Sequence, residues 1–184
     1  MARALVVIDI QKDYFPGGRM ELVGSEEAGR QARVLLDAFR SSGEPLFHVQ
    51  HLFEGDDAPF FAPGTEGAEI HPEVAPAEGE RVIVKHHANA FKDTPLEAEL
   101  REAGVDEVVL CGMMTSMCVD ASARAAADLG LRTTIAGDAC AAPDLRAGDE
   151  VIPGATVHKA FLSALGSLVA DVRDTDAVVA RNAG

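Results

Sequence analysis

Short apolar runs alternate along the chain with longer segments whose apolar residues recur at helical spacing. An apolar run of about four to eight residues is typical of a buried strand. Six such runs predict strands at residues 5–8, 45–50, 81–85, 105–111, 132–137 and 169–172. Helical spacing predicts helices at residues 25–41, 95–103, 115–129 and 155–165, with a short helix from 175. Because strands and helices alternate, the pattern favours the α/β class.

The predicted strands are almost continuously apolar, which is typical of a parallel sheet with helices on both faces. We expect one three-layer α/β/α domain over residues 1–184, built on a mostly parallel sheet of roughly six strands. Sites in open sheets of this kind form at the carboxyl ends of the strands. The chemistry is therefore expected near five positions, which are Asp9, residues 48–51, Lys85, the segment from Gly112 onward, and Asp138.

The composition argues against several classes of function. The 184 residues are 47% hydrophobic and 25% charged, which is ordinary for a globular protein and excludes general disorder. The chain has 16 Lys and Arg against 30 Asp and Glu, a formal net charge of −14. Nucleic-acid binding and docking on anionic lipid both need a basic face, so we expect neither. No apolar run approaches the roughly 20 residues of a membrane helix, which also argues against a membrane partner.

The chain has three cysteines, Cys111, Cys118 and Cys140, an odd number with wide spacing that does not make a disulfide framework. The first residues form a short apolar run that Asp9 closes, which predicts a strand rather than a signal peptide. Both observations favour a reducing, cytoplasmic location. Cys111 and Cys140 are expected to be core residues.

Cys118 is the candidate nucleophile. It follows Gly112, at the end of a predicted strand, and Thr115, a good helix cap, so it falls in the first turn of the next predicted helix. A helix N-terminus stabilises an anion and lowers the pKa of a thiol there. On spacing alone, a buried cysteine without chemistry remains the alternative.

Asp9 and Lys85 each close an apolar strand and complete the candidate chemistry. A carboxylate at that position is a general base or a turn cap. A lysine there is a fixed positive charge that favours a thiolate, or a side chain that extends its ammonium to water. A nucleophile, a base and a charge partner at three strand ends together match the requirements of acyl transfer.

The sequence resembles the isochorismatase-like cysteine hydrolases, a superfamily that includes nicotinamidases, N-carbamoylsarcosine amidohydrolases and ureidoacrylate amidohydrolases. The matching segments span nearly the whole chain in the family's order, at residues 5–15, 84–86, Phe91 with Thr94, 112–120 and 138–140. The resemblance implies an Asp–Lys–Cys triad of Asp9, Lys85 and Cys118. It implies hydrolysis of a C–N bond in a small amide or ureide through a cysteine thioester.

The resemblance also implies a cis peptide bond between Met113 and Met114. By the same resemblance, the backbone N–H groups of Met114 and Cys118 form the oxyanion hole. Members of the family are usually dimers or tetramers, so we expect a homo-oligomer. The alternative to catalysis is a small-molecule-binding or interaction protein on the same scaffold, which the complete triad argues against.

A metal-assisted nicotinamidase is a further alternative. Nicotinamidases carry an Asp-x-His metal motif after the second strand, where this chain has His48-Val49-Gln50-His51. Residues three apart on a strand face opposite sides, so the two histidines are not expected to share a metal. We expect no cofactor and interpret His51 as a pocket or loop residue. A divalent metal held by His51 and a distant partner such as His71 is the alternative.

Residues 52–80 show no periodicity and carry four prolines and four glycines. A loop of this length in a compact domain is usually functional or mobile. We expect it to determine substrate specificity, although its aromatic residues could equally serve only to pack the loop. The predicted substrate pocket consists of Tyr14, Phe15, His51, Phe60, Phe61 and Phe91.

Overall fold

The structure is a computed structural model that describes residues 2–55 and 57–181. Its eight strands are β1 (Ala2–Ile8), β2 (Leu46–His51), β3 (Arg81–Lys85), β4 (Val105–Met113), β5 (Arg132–Ala141), β6 (Leu145–Ala147), β7 (Glu150–Ile152) and β8 (Asp171–Arg173). Six of them form one sheet in the order β3-β2-β1-β4-β5-β8. All neighbours in this sheet run parallel, which confirms the predicted architecture.

Five α-helices cover the two faces of the sheet. They are α1 (Ser25–Ser42), α2 (Leu96–Glu102), α3 (Asp120–Asp128), α4 (Gly154–Leu168) and α5 (Thr175–Ala180). Side chains of β1 alternate between two cores because successive residues of a strand face opposite sides. Leu5 and Val7 pack with residues of α1 and α5, whereas Val6 and Ile8 pack with residues of α2, α3 and α4. The three layers therefore form as the apolar strands predict.

One local prediction needs correction, and one element was not predicted. The segment after β4 begins with a π-helical turn, Thr115–Val119, and only then continues as α3. The antiparallel hairpin of β6 and β7 was not predicted, and its strands are largely exposed.

Asp138 was expected at the site, but it lies within β5. Its carboxylate accepts hydrogen bonds from the backbone N–H and the hydroxyl of Thr175, both at 2.8 Å. Those bonds place it at the start of α5, where a carboxylate satisfies N–H groups that have no partner within the helix. Its role is therefore to hold α5 against the sheet.

None of the helices in the described ranges has the length and apolar content that a membrane crossing requires.

Candidate active site

Asp9 follows the last residue of β1, a strand in the middle of the sheet. Its backbone has φ of 50°, in the left-handed region that an aspartate adopts at moderate cost. Its backbone N–H still donates to Val49 of the neighbouring strand at 3.0 Å. The chain therefore turns immediately after the carboxyl end of β1, and the Asp9 side chain is fully buried there.

Lys85 ends β3, two strands from Asp9, and its long side chain spans that distance. Its Nζ lies 2.7 Å from Oδ2 of Asp9 and 3.3 Å from Sγ of Cys118. The same nitrogen donates to the backbone carbonyl of His87 at 2.9 Å. Lys85 is fully buried, and its terminal amino group lies between the acid and the thiol.

Cys118 lies in the π-helical turn that follows β4. The peptide bond between Met113 and Met114 is cis, and the backbone N–H of Val119 donates to the carbonyl of Met114 at 3.1 Å. The chain can enter this turn only because residue 112 is glycine. Gly112 has φ of 128°, and a Cβ there would lie 1.9 Å from the carbonyl oxygen of Ile8. The thiol itself is buried, with 3% of Cys118 exposed.

The predicted lowering of the thiol pKa is wrong. Burial raises the pKa of Cys118, the Asp9 carboxylate raises it further, and the Lys85 ammonium opposes both without cancelling them. Desolvation of a thiolate in this buried turn ahead of α3 is the largest of these contributions. In the resting protein Cys118 is therefore a protonated thiol that needs a base.

A carboxylate oxygen of Asp9 lies within 4.8 Å of the Cys118 sulfur. Apart from the ion pair with Lys85, neither of its oxygens accepts a directed hydrogen bond from the residues that the structure describes. Buried carboxylates normally have such partners, and exceptions cluster at functional sites. The lone pairs of Asp9 are thus free to take up the thiol proton.

His51 lies at the centre of the site, where its Nδ1 is within 4.0 Å of an atom of each of the three triad residues. Its Nδ1 is 2.9 Å from Nζ of Lys85, 3.8 Å from Oδ2 of Asp9 and 4.0 Å from Sγ of Cys118. His51 and Lys85 are direct partners in the register of β2 and β3. The sequence signal that could have predicted this contact is that His51 ends β2 just as Lys85 ends β3.

Gln11 holds the main chain of His51. The Gln11 side-chain amide donates to the His51 carbonyl and accepts from the His51 N–H, each at 2.8 Å. A third bond runs from the same amide nitrogen to the carbonyl of Ala68, also at 2.8 Å. Gln11 is completely buried, so it locks the end of β2 to the loop that follows.

Asp9, His51 and Cys118 offer one ligand atom each within 4.8 Å of one another, a set that could hold a metal ion. The Lys85 ammonium lies within 3.3 Å of an atom of each of the three residues. The Lys85 ammonium therefore already places a positive charge between these three residues. A divalent ion would have to displace that ammonium.

The other histidines lie outside this set. His48 faces the opposite side of β2, as predicted, and its Nε2 lies 2.9 Å from Oε2 of Glu80. His71 is not in the set of candidate ligands; its ring stacks on Phe15 at 3.7 Å between centroids.

The aromatic residues of the long loop pack beside His51. Phe61 contacts Tyr14 edge-on at 4.5 Å between ring centroids and Phe60 at 4.9 Å. Phe53, which the predicted pocket omits, packs against Phe60 at 5.0 Å and stacks on the His51 ring at 4.5 Å. Burial raises the pKa of Tyr14, and the nearby Cys118 and Asp9 raise it further. Three predicted pocket residues, Tyr14, Phe60 and Phe61, thus lie together next to His51.

Phe15 and Phe91 lie apart from that aromatic group. Phe15 stacks on His71 and lies 3.2 Å from the position a Cβ of Gly29 in α1 would occupy, so it packs towards the helix. Phe91 is half-buried and packs against the core formed with α2, α3 and α4. Their assignment to the substrate pocket stays a prediction.

Asp13 fastens the long loop over the site. Its carboxylate accepts the backbone N–H of Phe61 at 2.7 Å and that of Arg19 at 3.1 Å. A Cβ at Gly67 would lie 2.1 Å from the same carboxylate, so only glycine permits this approach. The aromatic residues are thereby held beside the triad by a buried polar anchor.

Known proteins resemble this chain in sequence and in fold. The family model of the isochorismatase domain matches residues 3–177. An uncharacterised isochorismatase family protein of Bacillus subtilis, YddQ, is 50% identical over 177 residues, which cover 96% of this chain and 98% of the relative. A maleamate amidohydrolase of Pseudomonas putida is 36% identical over 146 residues, which cover 72% of this chain and 68% of the relative.

A solved structure extends the likeness to an amidase. The N-carbamoylsarcosine amidase of Thermoplasma acidophilum superimposes with a TM-score of 0.81 at 27% identity, covering 96% of this chain and 98% of that chain. The similarities in sequence and fold point to one family. The six-stranded parallel sheet and the Asp9–Lys85–Cys118 arrangement are consistent with that family. The chain belongs to the isochorismatase family of hydrolases.

Proposed function

We propose that the protein is a cysteine-dependent hydrolase that cleaves the C–N bond of a small amide or ureide. The observation that carries the proposal is the position of Lys85 Nζ, 2.7 Å from Asp9 Oδ2 and 3.3 Å from Cys118 Sγ, with all three side chains buried. A nucleophile, a base and a fixed charge in one desolvated cluster suit covalent catalysis. The amidase and amidohydrolase among the relatives support the same reaction class.

In the proposed acylation step, Asp9 takes the proton of Cys118 as Sγ attacks the carbonyl carbon. The S–C bond forms and the carbonyl electron pair moves to oxygen, where the backbone N–H groups of Met114 and Cys118 hold the oxyanion. The oxyanion then collapses and breaks the C–N bond. Asp9 returns its proton to the leaving nitrogen, and a thioester on Cys118 remains.

In the proposed deacylation step, Asp9 removes a proton from water as the water attacks the thioester carbon. The C–S bond breaks, a carboxylic or carbamic acid leaves, and Asp9 returns the proton to Cys118. Lys85 stays charged throughout and stabilises whichever of Asp9 and Cys118 carries the negative charge.

The test is ammonia release from nicotinamide, N-carbamoyl amino acids, ureidoacrylate and aliphatic amides, with mass spectrometry of Cys118 for an acyl adduct. We expect turnover in the wild type and none in Cys118→Ala. The matched control is Cys140→Ala, the same substitution at a second buried thiol, which lies outside the triad. Turnover that survives in Cys118→Ala, or a wild type that shows neither turnover nor an adduct with any compound, would contradict the proposal.

The predictions of one domain over residues 1–184, a homo-oligomer, a cytoplasmic location and no cofactor stay predictions. Small residues on α3 suit close packing against a second subunit as well as against the sheet, so they do not decide the oligomeric state. Gel filtration with light scattering measures that state directly.

A further inference from the structure

One atom of the site has no assigned role. His51 is 5% exposed, and its Nε2 has no hydrogen-bond partner among the described residues. The rest of the residue is held at every point: Gln11 binds its main chain, Phe53 stacks on its ring, and Lys85 contacts Nδ1. These contacts fix the orientation of the imidazole ring. The buried Nε2, which has no partner among the described residues, therefore has a defined position.

The contact with Lys85 determines which ring nitrogen carries the proton. An ammonium group can only donate hydrogen bonds, so Nδ1 of His51, 2.9 Å from Nζ, must accept. In a neutral imidazole the other nitrogen is then protonated. Nε2 is consequently an N–H donor, and a buried donor without an acceptor is unfavourable until something fills the position.

We infer that the Nε2–H of His51 is a specificity-determining donor that binds a second carbonyl or carboxylate oxygen of the substrate, beside the bond that is cleaved. The substrate class is therefore amides or ureides that carry another carbonyl group a few bonds away, rather than simple aliphatic amides. This inference rests on the proposed function, since it names the substrate class of the same site. Tyr14, Phe53, Phe60 and Phe61 provide the apolar surroundings in which one such hydrogen bond discriminates strongly.

The test uses two aldehydes, which need a reactive thiol but no turnover. The Cys118 sulfur bonds to the aldehyde carbon and the thiol proton passes to the aldehyde oxygen, giving a reversible thiohemiacetal. The probes are succinic semialdehyde methyl ester, which carries a second carbonyl, and hexanal, which matches its length without one. The measured quantity is the concentration of each aldehyde that halves alkylation of Cys118 by iodoacetamide, followed by mass spectrometry.

Two variants separate the two ring nitrogens of His51. The amide of His51→Asn fits the Nδ1 position, so it retains an acceptor for Lys85 but lacks the Nε2 donor. The amide of His51→Gln reaches the Nε2 position and retains a donor there. In the wild type we expect the ester to protect at about 10-fold lower concentration than hexanal, the discrimination of one buried hydrogen bond. We expect His51→Asn to bring the ratio of the two protecting concentrations, each measured against that variant's own alkylation rate, to about 1, and His51→Gln to keep part of the preference.

A wild type without the preference, or a preference that persists in His51→Asn, would overturn the inference. Nitrogen NMR of the His51 ring checks the tautomer in the unmodified protein, so the inference stays testable if a variant does not fold. Protonation at Nδ1 would also overturn it. Aldehyde protection with the expected preference, but without hydrolysis of any amide, would reject the proposed function and the amide or ureide class with it, while the Nε2 donor itself would be supported.

Discussion

Two buried carboxylates near opposite ends of the sheet have very different surroundings. Glu107, near the beginning of β4, lies 3.0 Å from Arg181, 3.2 Å from Arg132 and 3.3 Å from the hydroxyl of Thr134. Asp9, beyond the end of β1, has one ion pair, and no described residue donates a directed hydrogen bond to it. Both are almost completely buried, with Glu107 5% and Asp9 0% exposed.

The difference supports the proposal that Glu107 serves the fold and that Asp9 serves the chemistry. A buried carboxylate with several donors has its desolvation cost offset and stabilises the fold in one protonation state. A buried carboxylate with few directed donors keeps lone pairs available for a proton that another group gives up. Partner count therefore separates the two acids where burial does not.

Replacing Asp9 by asparagine is expected to have the largest effect. Hydrolysis should fall by about 10³-fold, the contribution of a general base, as measured by ammonia release on the best substrate. Alkylation of Cys118 by iodoacetamide should become faster in the same variant. The reason is that the Asp9 carboxylate raises the pKa of the thiol, so its removal favours the thiolate.

Wild-type Cys118 alkylation should accordingly keep increasing with pH and show no plateau below pH 9, because the thiol pKa is raised from its ordinary value of 9.0. Unchanged hydrolysis in Asp9→Asn would remove Asp9 from the chemistry. A wild-type plateau near neutral pH would mean that Cys118 is already a thiolate at rest.

Much of this site could be predicted from the sequence because it follows from strand order. Asp9, Lys85 and Cys118 each follow or end an apolar run, and the carboxyl ends of parallel strands meet at one edge. The environment of the thiol could not be predicted, since it depends on a π-helical turn that apolar spacing does not distinguish from an α-helix. The contact between His51 and Lys85 depends on the register of β2 and β3, which a single sequence does not specify.

The loop illustrates the same limit. Its aromatic residues were visible in the sequence, yet their placement depends on Asp13 and Gly67, which are 54 residues apart in the chain. Asp138 follows an apolar run just as Asp9 does, but β5 continues to Ala141 and the carboxylate holds α5 instead. Local pattern locates candidate residues, and long-range packing then decides which of them meet.

A double variant tests whether the Asp9–Lys85 pair serves stability or chemistry. Asp9→Asn alone leaves the Lys85 ammonium buried without its partner and should lower the free energy of unfolding by about 3 kcal/mol. Adding Lys85→Met removes that charge, and urea unfolding should return to within about 1 kcal/mol of wild type. Hydrolysis should remain lost in the double variant. A double variant as unstable as the single one would mean that the pair itself stabilises the fold.

Glu107→Gln is expected to show the reverse behaviour. It removes the charge that binds Arg132 and Arg181, so the free energy of unfolding should fall by about 2 kcal/mol, while hydrolysis stays within about 2-fold of wild type. Urea unfolding and ammonia release measure the two quantities. If Glu107→Gln lost hydrolysis while its free energy of unfolding stayed unchanged, the number of partners would not distinguish a structural acid from a catalytic one.

Glu80 is a third acid, and like Glu107 it has several hydrogen-bond partners. Its replacement should have the smallest effect on the free energy of unfolding, and that effect should depend on pH. Hydrogen bonds from Arg40 lower the pKa of its carboxyl from 4.5 to about 2 against the opposing effect of partial burial, and the backbone N–H of Ala77 and the ring of His48 lower it further. Because the pKa is lower in the folded state, the carboxylate stabilises the fold fully above pH 4.5 and progressively less as pH falls towards 2.

Glu80→Gln should therefore cost about 1 kcal/mol at neutral pH, a small value because water screens this partly exposed cluster. The difference from wild type should shrink as pH falls below the ordinary pKa of 4.5 and vanish near 2. Urea unfolding of both proteins over this pH range measures the difference. A difference independent of pH would mean that Glu80 acts through packing and not through its charge. Several hydrogen-bond partners around a carboxylate would then no longer imply an electrostatic role.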